Sequence, residues 1–310
     1  MILTVTMNPS VDISYPLEAL RLDAVNRSKQ TRKTAGGKGL NVTRVIKQMD
    51  TAVLATGMIG GTVGDFIEKT LTKASIQHDF LITDYESRNC IAILHDGKQT
   101  EILEAGPTLS QTEEVAFLRK FEALLCGKKI VVISGSLPRG ISPSSYQRMI
   151  EIGKRHGIKT LLDCSEQTLK EVVLGTQKPY LIKPNQTELS QLLQREVSLD
   201  PVELKKALEE EIFSGIEWIV VSLGANGAFI KAKHRFYLVT VPTIEVVNPV
   251  GSGDATVAGL AVGLVKEWTV EETIKTAMTA GVLNALESET GHINFANFDR
   301  YFDQIKVNRV

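Results

Sequence analysis

The sequence predicts an α/β protein: a mostly parallel central sheet covered by helices on both faces, with a small β layer over it. Three observations carry this. Short, continuously apolar runs alternate with longer helical patterns along the chain, which is how strands buried on both faces read. Several of those runs end in polar or glycine residues, where open α/β sheets gather ligands. Two segments, near residues 15–34 and 88–105, break the alternation.

The chain opens on Met1-Ile2-Leu3-Thr4-Val5-Thr6, a first strand that Asn8-Pro9 ends. Tyr15–Thr34 has no helical period, and Gly36–Asn41 leads into a helical stretch over Val42–Gln48. Cys90–Leu94 and Thr100–Leu103 flank Asp96-Gly97, a strong hairpin signal. Ile130–Ser134 is a buried strand followed by a helix near Ser144–His156. Thr160–Asp163 repeats the pattern with a helix near Gln167–Leu174, and Tyr180–Lys183 with one near Glu188–Leu193. A helix near Val202–Phe213 precedes the strand Trp218–Ser222. The implied division is a main α/β domain of residues 1–10, 35–87 and 106–310, with a β-lid of 11–34 and 88–105.

With 310 residues, 43% of them hydrophobic, the chain has material for one large α/β domain. A formal net charge of −1 implies no broad cationic surface for nucleic acid. His78, His95, His156, His234 and His292 are scattered, with no pair at zinc-ligand spacing. Cys90, Cys126 and Cys164 are odd in number and far apart, which suits a reducing compartment. No apolar run is long enough to span a bilayer, and no charged signal-peptide start precedes the first strand. A cytoplasmic protein without membrane or nucleic-acid partners is expected.

The most informative segment is Asn248-Pro249-Val250-Gly251-Ser252-Gly253-Asp254, running into Ala255-Thr256-Val257-Ala258-Gly259. It reads as a glycine turn opening an apolar helix. The first N–H groups of a helix lack internal partners and make an anion site with the helix dipole. A carboxylate at that junction is poorly suited to hold the anion. It is well suited to take a proton from a hydroxyl that attacks a phosphoryl group. The same residues also suit an ordinary loop whose Asp stabilises a helix start.

Other segments fit the same chemistry, each with a plainer alternative. Gly36-Gly37-Lys38-Gly39-Leu40-Asn41 allows close backbone approach, with Lys38 as a point charge and Asn41 as an amide for a sugar hydroxyl; it is otherwise a tight loop, and it is not a Walker A motif. Asp12 can hold polyol hydroxyls or serve a turn. Asn185 and Glu188 lie one helical turn apart and face one site or cap a helix; Glu188 can meet Mg²⁺ through water. Ser222-Leu223-Gly224-Ala225-Asn226-Gly227 can pass backbone against a nucleotide or simply link two strands. Arg88 and Arg139 are isolated cations that matter if the substrate is already phosphorylated.

Over nearly its full length the chain resembles the ribokinase-like (PfkB) carbohydrate kinases. Gly36–Asn41 looks like the family's first signature and Asn248–Gly259 like its second, with Gly57–Gly64, Asn185–Glu188 and Ser222–Gly227 in the expected order between them. Asn8-Pro9-Ser10-Val11-Asp12, Gly39-Leu40-Asn41-Val42 and Ser134-Gly135-Ser136-Leu137-Pro138 resemble the family's ketohexose-phosphate kinases. The resemblance implies a three-layer ribokinase-like domain with a small β-sheet lid, and phosphoryl transfer from ATP with Mg²⁺ to a ketohexose monophosphate. D-tagatose 6-phosphate is the implied acceptor, with fructose 1-phosphate as the alternative and a non-catalytic sensor as a more distant one. Asp254 would be the catalytic base, and the amides of Gly251, Ser252 and Gly253 the anion hole. Asp12, Gly36, Gly37 and Asn41 would hold the sugar. Lys38, Arg88 and Arg139 would hold its phosphate, with Ser136 nearby. Lys183, Asn185, Ser222, Gly224 and Gly227 would meet ATP, Asn284 would border it, and Glu188 would serve magnesium. A homodimer through the lid is expected.

Overall fold

The computed structural model describes residues 1–164 and 166–310. Its strands, in chain order, are β1 (Ile2–Thr6), β2 (Ser10–Pro16), β3 (Arg32–Gly36), β4 (Val53–Gly60), β5 (Gln77–His78), β6 (Leu81–Thr83), β7 (Arg88–His95), β8 (Lys98–Leu103), β9 (Ile130–Ser134), β10 (Lys159–Asp163), β11 (Leu181–Ile182), β12 (Trp218–Ser222), β13 (Ala228–Ala232), β14 (Arg235–Thr240) and β15 (Lys306–Arg309). The helices are α1 (Lys38–Gln48), α2 (Gly61–Lys73), α3 (Gln111–Leu124), α4 (Ser144–Arg155), α5 (Glu166–Leu174), α6 (Gln186–Leu193), α7 (Pro201–Leu208), α8 (Ser252–Val265), α9 (Val270–Ala285) and α10 (Phe298–Phe302).

The large sheet runs β5-β4-β1-β9-β10-β11-β12 in parallel, then β13, β14 and β15 in antiparallel; β6 pairs with the end of β4. Successive side chains on a strand point to opposite faces, so each apolar run feeds two cores. Val131 and Ile133 pack on one face with Phe117, Phe121, Tyr146 and Met149. Ile130 and Val132 pack on the other with α1, α8 and α9 through Val42, Leu260 and Ala277. Helix α8 is buried from Asp254 through Gly263, between the sheet and α9. A Cβ at Gly259 would fall 2.5 Å from the Ala277 Cα, so glycine sets that close approach.

The small sheet has the order β3-β2-β7-β8. The β7–β8 hairpin turns at Asp96 and Gly97, both with positive φ (48° and 68°), the conformation Asp-Gly is chosen for. Strands β2 and β7 pair in parallel, which no local pattern announces, because the partners lie some 80 residues apart. Val11, Ile13 and Ala35 are buried against Ile67 and Leu71 of α2. Asp12, Ser14, Thr34, Cys90 and Ala92 point the other way, into a cavity.

Two helices differ from expectation at their ends. Helix α7 stops at Leu208 and leaves Glu211–Phe213 as a separate 3₁₀ turn. Glu209, Glu210 and Glu211 follow the break, and acidic residues are disfavoured at the negative end of a helix dipole. Helix α6 starts at Gln186, two residues early, because Asn185 caps it. Among the described residues, no helix is long and apolar enough to cross a membrane.

Candidate active site

The carboxyl ends of β1, β9 and β10 and the amino ends of α1 and α8 surround a cavity of about 580 Å³, roofed by the small sheet. Its floor is the turn before α8. Gly251 sits at the helix N-cap with φ 86°, ψ −7°, and no side chain caps the first turn. A positive φ is natural for glycine. The Ser252 N–H, expected to face an anion, instead donates to the Pro249 carbonyl at 3.3 Å, whereas Gly251 and Gly253 line the cavity. Asn284, fully buried on α9, holds the turn in shape: its Nδ2 donates to the Val250 carbonyl at 2.9 Å, and its Oδ1 accepts from the Gly291 N–H at 2.9 Å. Asn284 is not a cavity-lining residue; its amide is spent on the turn.

Asp254 is the third residue of α8 and 6% exposed. Asn41 Nδ2 donates to its Oδ2 at 2.7 Å, so the two glycine motifs meet at this bond. Burial and the nearby Asp163 charge push the Asp254 carboxyl up to about 7, against the Asn41 hydrogen bond and the charges of Lys38 and Lys183. Asp163 behaves oppositely. Burial alone would raise it, but Lys183 and Lys38 outweigh burial and hold it below the ordinary carboxylate range. Environments that push two carboxyls apart in this way separate a proton acceptor from a fixed anion.

Asp163 ends β10, and its Oδ1 lies 3.3 Å from the Lys183 Nζ, both side chains being buried. A Cβ at Gly253 would lie 3.2 Å from that Nζ, so the Lys183 ammonium rests against the anion turn. Asp163 is also the main reason the Lys38 ammonium is held above its ordinary range, over the opposing cost of desolvation. Sequence reasoning missed Asp163. The available signal was a carboxylate closing an apolar strand.

At the other end of the cavity Asp12 accepts from Ser10 Oγ at 2.6 Å. Desolvation raises its carboxyl, opposed by the Ser10 bond and by Arg44 and Arg88. Gly36 makes room for it, since a Cβ there would fall 2.0 Å from the Asp12 Cγ. Arg88, Lys38, Gly37 and Ser136 also line the cavity. Arg88 is braced on backbone carbonyls, Nε to Asn8 at 3.2 Å and Nη1 to Glu104 at 2.9 Å. Arg139 is outside the cavity lining, exposed, with Nη2 donating to the Gly106 carbonyl at 3.2 Å.

The remaining expected residues lie beyond Lys183. Asn185 and Glu188 form a reciprocal cap on α6: Asn185 Oδ1 accepts from the Glu188 N–H at 2.8 Å and Glu188 Oε2 from the Asn185 N–H at 2.9 Å. Asn185 bridges to Ser222 at the end of β12. Gly224 opens a 3₁₀ turn, and Gly227 (φ 87°) closes it against the Val239 carbonyl. These glycine-bearing strand ends form a ledge continuous with Lys183 and separate from the cavity. Among the described residues, no group of three His, Cys, Asp or Glu side chains is set to hold a metal ion. That donor set does not suit an all-protein cage. The cap uses one Glu188 carboxylate oxygen, Oε2, on the Asn185 N–H; the other is the oxygen that could meet a metal-bound water.

A model of the pfkB family carbohydrate kinases matches residues 5–295. The chain is 52% identical over 307 residues to the tagatose-6-phosphate kinase of Staphylococcus epidermidis, covering 99% of each chain. It superposes on Escherichia coli phosphofructokinase-2 in complex with substrates and products with a TM-score of 0.90, at 26% identity over 97% of this chain and 98% of that one. The tetrameric inhibited form of the same enzyme gives a TM-score of 0.88 at 25% identity over the same shares.

Proposed function

The chain belongs to the pfkB family of carbohydrate kinases, and on that premise we propose that it transfers the γ-phosphoryl group of ATP to a ketohexose monophosphate, D-tagatose 6-phosphate, giving D-tagatose 1,6-bisphosphate. The observation that carries this reading is Asp254: a buried carboxyl at the mouth of an uncapped helix, with its proton affinity lifted into the neutral range. A general base works best when its pKa is near the working pH.

In this reading the sugar's free primary hydroxyl lies between Asp254 and the anion turn. Its oxygen attacks the γ-phosphorus in line, and the bond from that phosphorus to the β–γ bridging oxygen breaks. The hydroxyl proton passes to Asp254 Oδ, and ADP leaves with the electron pair. The transition state spreads negative charge over the phosphoryl oxygens. The α8 amides and the Lys183 ammonium stand where that charge develops. Magnesium on the triphosphate would add further charge neutralisation, with Glu188 meeting its waters. Asp12, Gly36, Gly37 and Asn41 hold the sugar. Arg88, with Ser136, fixes its phosphate at the far end, which orients the hydroxyl; Lys38, expected there too, has Asp163 and Asp254 as its charge partners, and Arg139 stands outside the cavity. The ledge from Lys183 through Asn185, Ser222, Gly224 and Gly227 carries the nucleotide, whose border includes the turn braced by Asn284.

The small sheet serves as a lid that excludes water during transfer. Its edge strand β8 is exposed throughout, with Ile102 54% and Leu103 61% exposed. That exposure supports a homodimer covering this edge, measurable by sedimentation. The free cysteines fit a cytoplasmic setting.

The test is ADP release with Mg-ATP and a panel of hexose phosphates. Turnover of tagatose 6-phosphate and not of fructose 1-phosphate supports the proposal; the reverse makes the protein a 1-phosphofructokinase, and no turnover with any sugar overturns the proposal and favours a sensor. Asp254→Asn should lower kcat by about 10²–10⁴-fold with the fold intact.

A further inference from the structure

The orientation of the Asn41 amide decides what Asp254 can do. An amide presents a donor on one side and an acceptor on the other, and a carboxylate only accepts. In the structure Asn41 gives its Nδ2 to Asp254 Oδ2 at 2.7 Å. Its Oδ1 accepts from Arg44 Nη2 at 2.7 Å. An arginine only donates and stays charged, so it tolerates only the amide oxygen. With the amide reversed, Arg44 would face an NH₂ group, and Asp254 would face a carbonyl that favours its protonated form.

Arg44 is anchored on three sides. Its Nη2 also donates to the Thr290 carbonyl at 2.6 Å, and its Nη1 bonds the Ala35 carbonyl on β3. One turn along α1, Gln48 Nε2 donates to the Gly291 carbonyl at 3.1 Å, and its Oε1 accepts from the Ile293 N–H at 2.7 Å. The segment from Thr290 to Ile293 is thereby stapled to α1. Thr290 in turn packs on the anion turn, its Cγ2 2.5 Å from where a Cβ on Gly251 would stand. One guanidinium therefore joins the small sheet, the sugar-side helix and the loop beneath the anion turn.

We propose that Arg44 is a positioning residue: by occupying Asn41 Oδ1 it fixes the amide in the one orientation that leaves Asp254 free to accept a proton. This rests on the kinase reading above, in which Asp254 is the base. Arg44 is not a cavity-lining residue; its charge also faces Asp12 and Glu289, so its action through Asn41 is read from the kcat profile and not from sugar binding. The charged groups that face Asp254 from the packed elements are Asp163, Lys38, Lys183 and Arg44 itself. The first three are untouched by an Arg44 substitution. Lysine at this position would still donate to Asn41 Oδ1, so Arg44→Met is the informative change, and the Asn41→Ala background separates the effect of the lost charge.

The experiment is the pH profile of kcat for the wild type, Arg44→Met, Asn41→Ala and the double variant. Wild-type turnover is measured first; its absence refutes the kinase reading rather than the role of Arg44. With turnover present, Arg44→Met should lose about tenfold or more in kcat, part of what general base catalysis contributes, and its acidic limb should move to higher pH. In the Asn41→Ala background the same substitution should move the limb far less, because only the lost charge acts there and no amide is left to orient. No shift in folded Arg44→Met, or an equal shift in both backgrounds, overturns the proposal. If Arg44→Met does not fold, neutron diffraction on the wild type replaces it: deuterium on the Asn41 atom that faces Asp254 is expected, and deuterium on the atom that faces Arg44 overturns the proposal.

Discussion

Asp163 and Lys183 form an ion pair, Oδ1 to Nζ 3.3 Å, with both side chains withdrawn from solvent and the ammonium set against Gly253 of the anion turn. The pair has two consequences. It keeps a cation beside the turn proposed to receive the phosphoryl group, and it leaves a fixed negative charge that raises Asp254.

Asp163→Asn therefore tests both. Removing the charge lets Asp254 ionise more easily, directly and through the released Lys38 and Lys183 charges. The acidic limb of kcat should move to lower pH, while kcat at its plateau falls because Lys183 loses its tether. Breaking a buried pair from one side should also cost about 3 kcal/mol of stability. A limb that stays in place or moves up contradicts the assignment; kinetics and urea unfolding read both effects.

Asp254 gives a stability signature of its own. Its folded-state carboxyl is raised to about 7 from an ordinary 3.8. Its contribution is thus fully favourable below about pH 4 and is lost as pH rises through 7. Asp254→Asn escapes that loss. The variant should melt above the wild type at pH 8, and the gap should close as pH falls toward 4. Melting curves at pH 5 and 8 suffice, and a gap that is equal at both would contradict the raised proton affinity.

Asn284→Ala separates bracing from nucleotide contact. It leaves the Val250 carbonyl and the Gly291 N–H without partners, a loss of about 1–3 kcal/mol. If its amide serves the turn, kcat falls while KM for ATP changes little. A large rise in KM for ATP with kcat preserved would make Asn284 a nucleotide ligand instead.

Arg88→Ala addresses the far end of the substrate. A charge-assisted bond to phosphate contributes about 1.5–3 kcal/mol, so KM for the sugar phosphate should rise roughly 10–100-fold, with KM for ATP far less affected. Equal effects on both would remove Arg88 from the phosphate site.

The legible part of the site was its local part. The turn at Gly251 could be read because a positive φ before an apolar helix needs glycine, and the Asp96-Gly97 hairpin for the same kind of reason. The strands around Ile130 and Trp218 could be read because burial on both faces leaves an unbroken apolar run. Arg44 could not. A lone arginine three residues past Asn41 looks like any solvated helix residue until the 290 segment folds over it. The parallel β2–β7 pairing was hidden as well, because strand order is set by which apolar faces meet and not by either strand's composition.

From the sequence alone came the sheet, its helical cover, the glycine turns and the carboxylate at the head of α8, since periodicity and backbone sterics act over a few residues. Folding in three dimensions decided what that carboxylate can do. Asn41 reaches it across 213 positions, and Asp163 and Lys183 act on it from other strands. Proton affinity depends on solvent exclusion and on charges close in space, and neither is a property of neighbours along the chain.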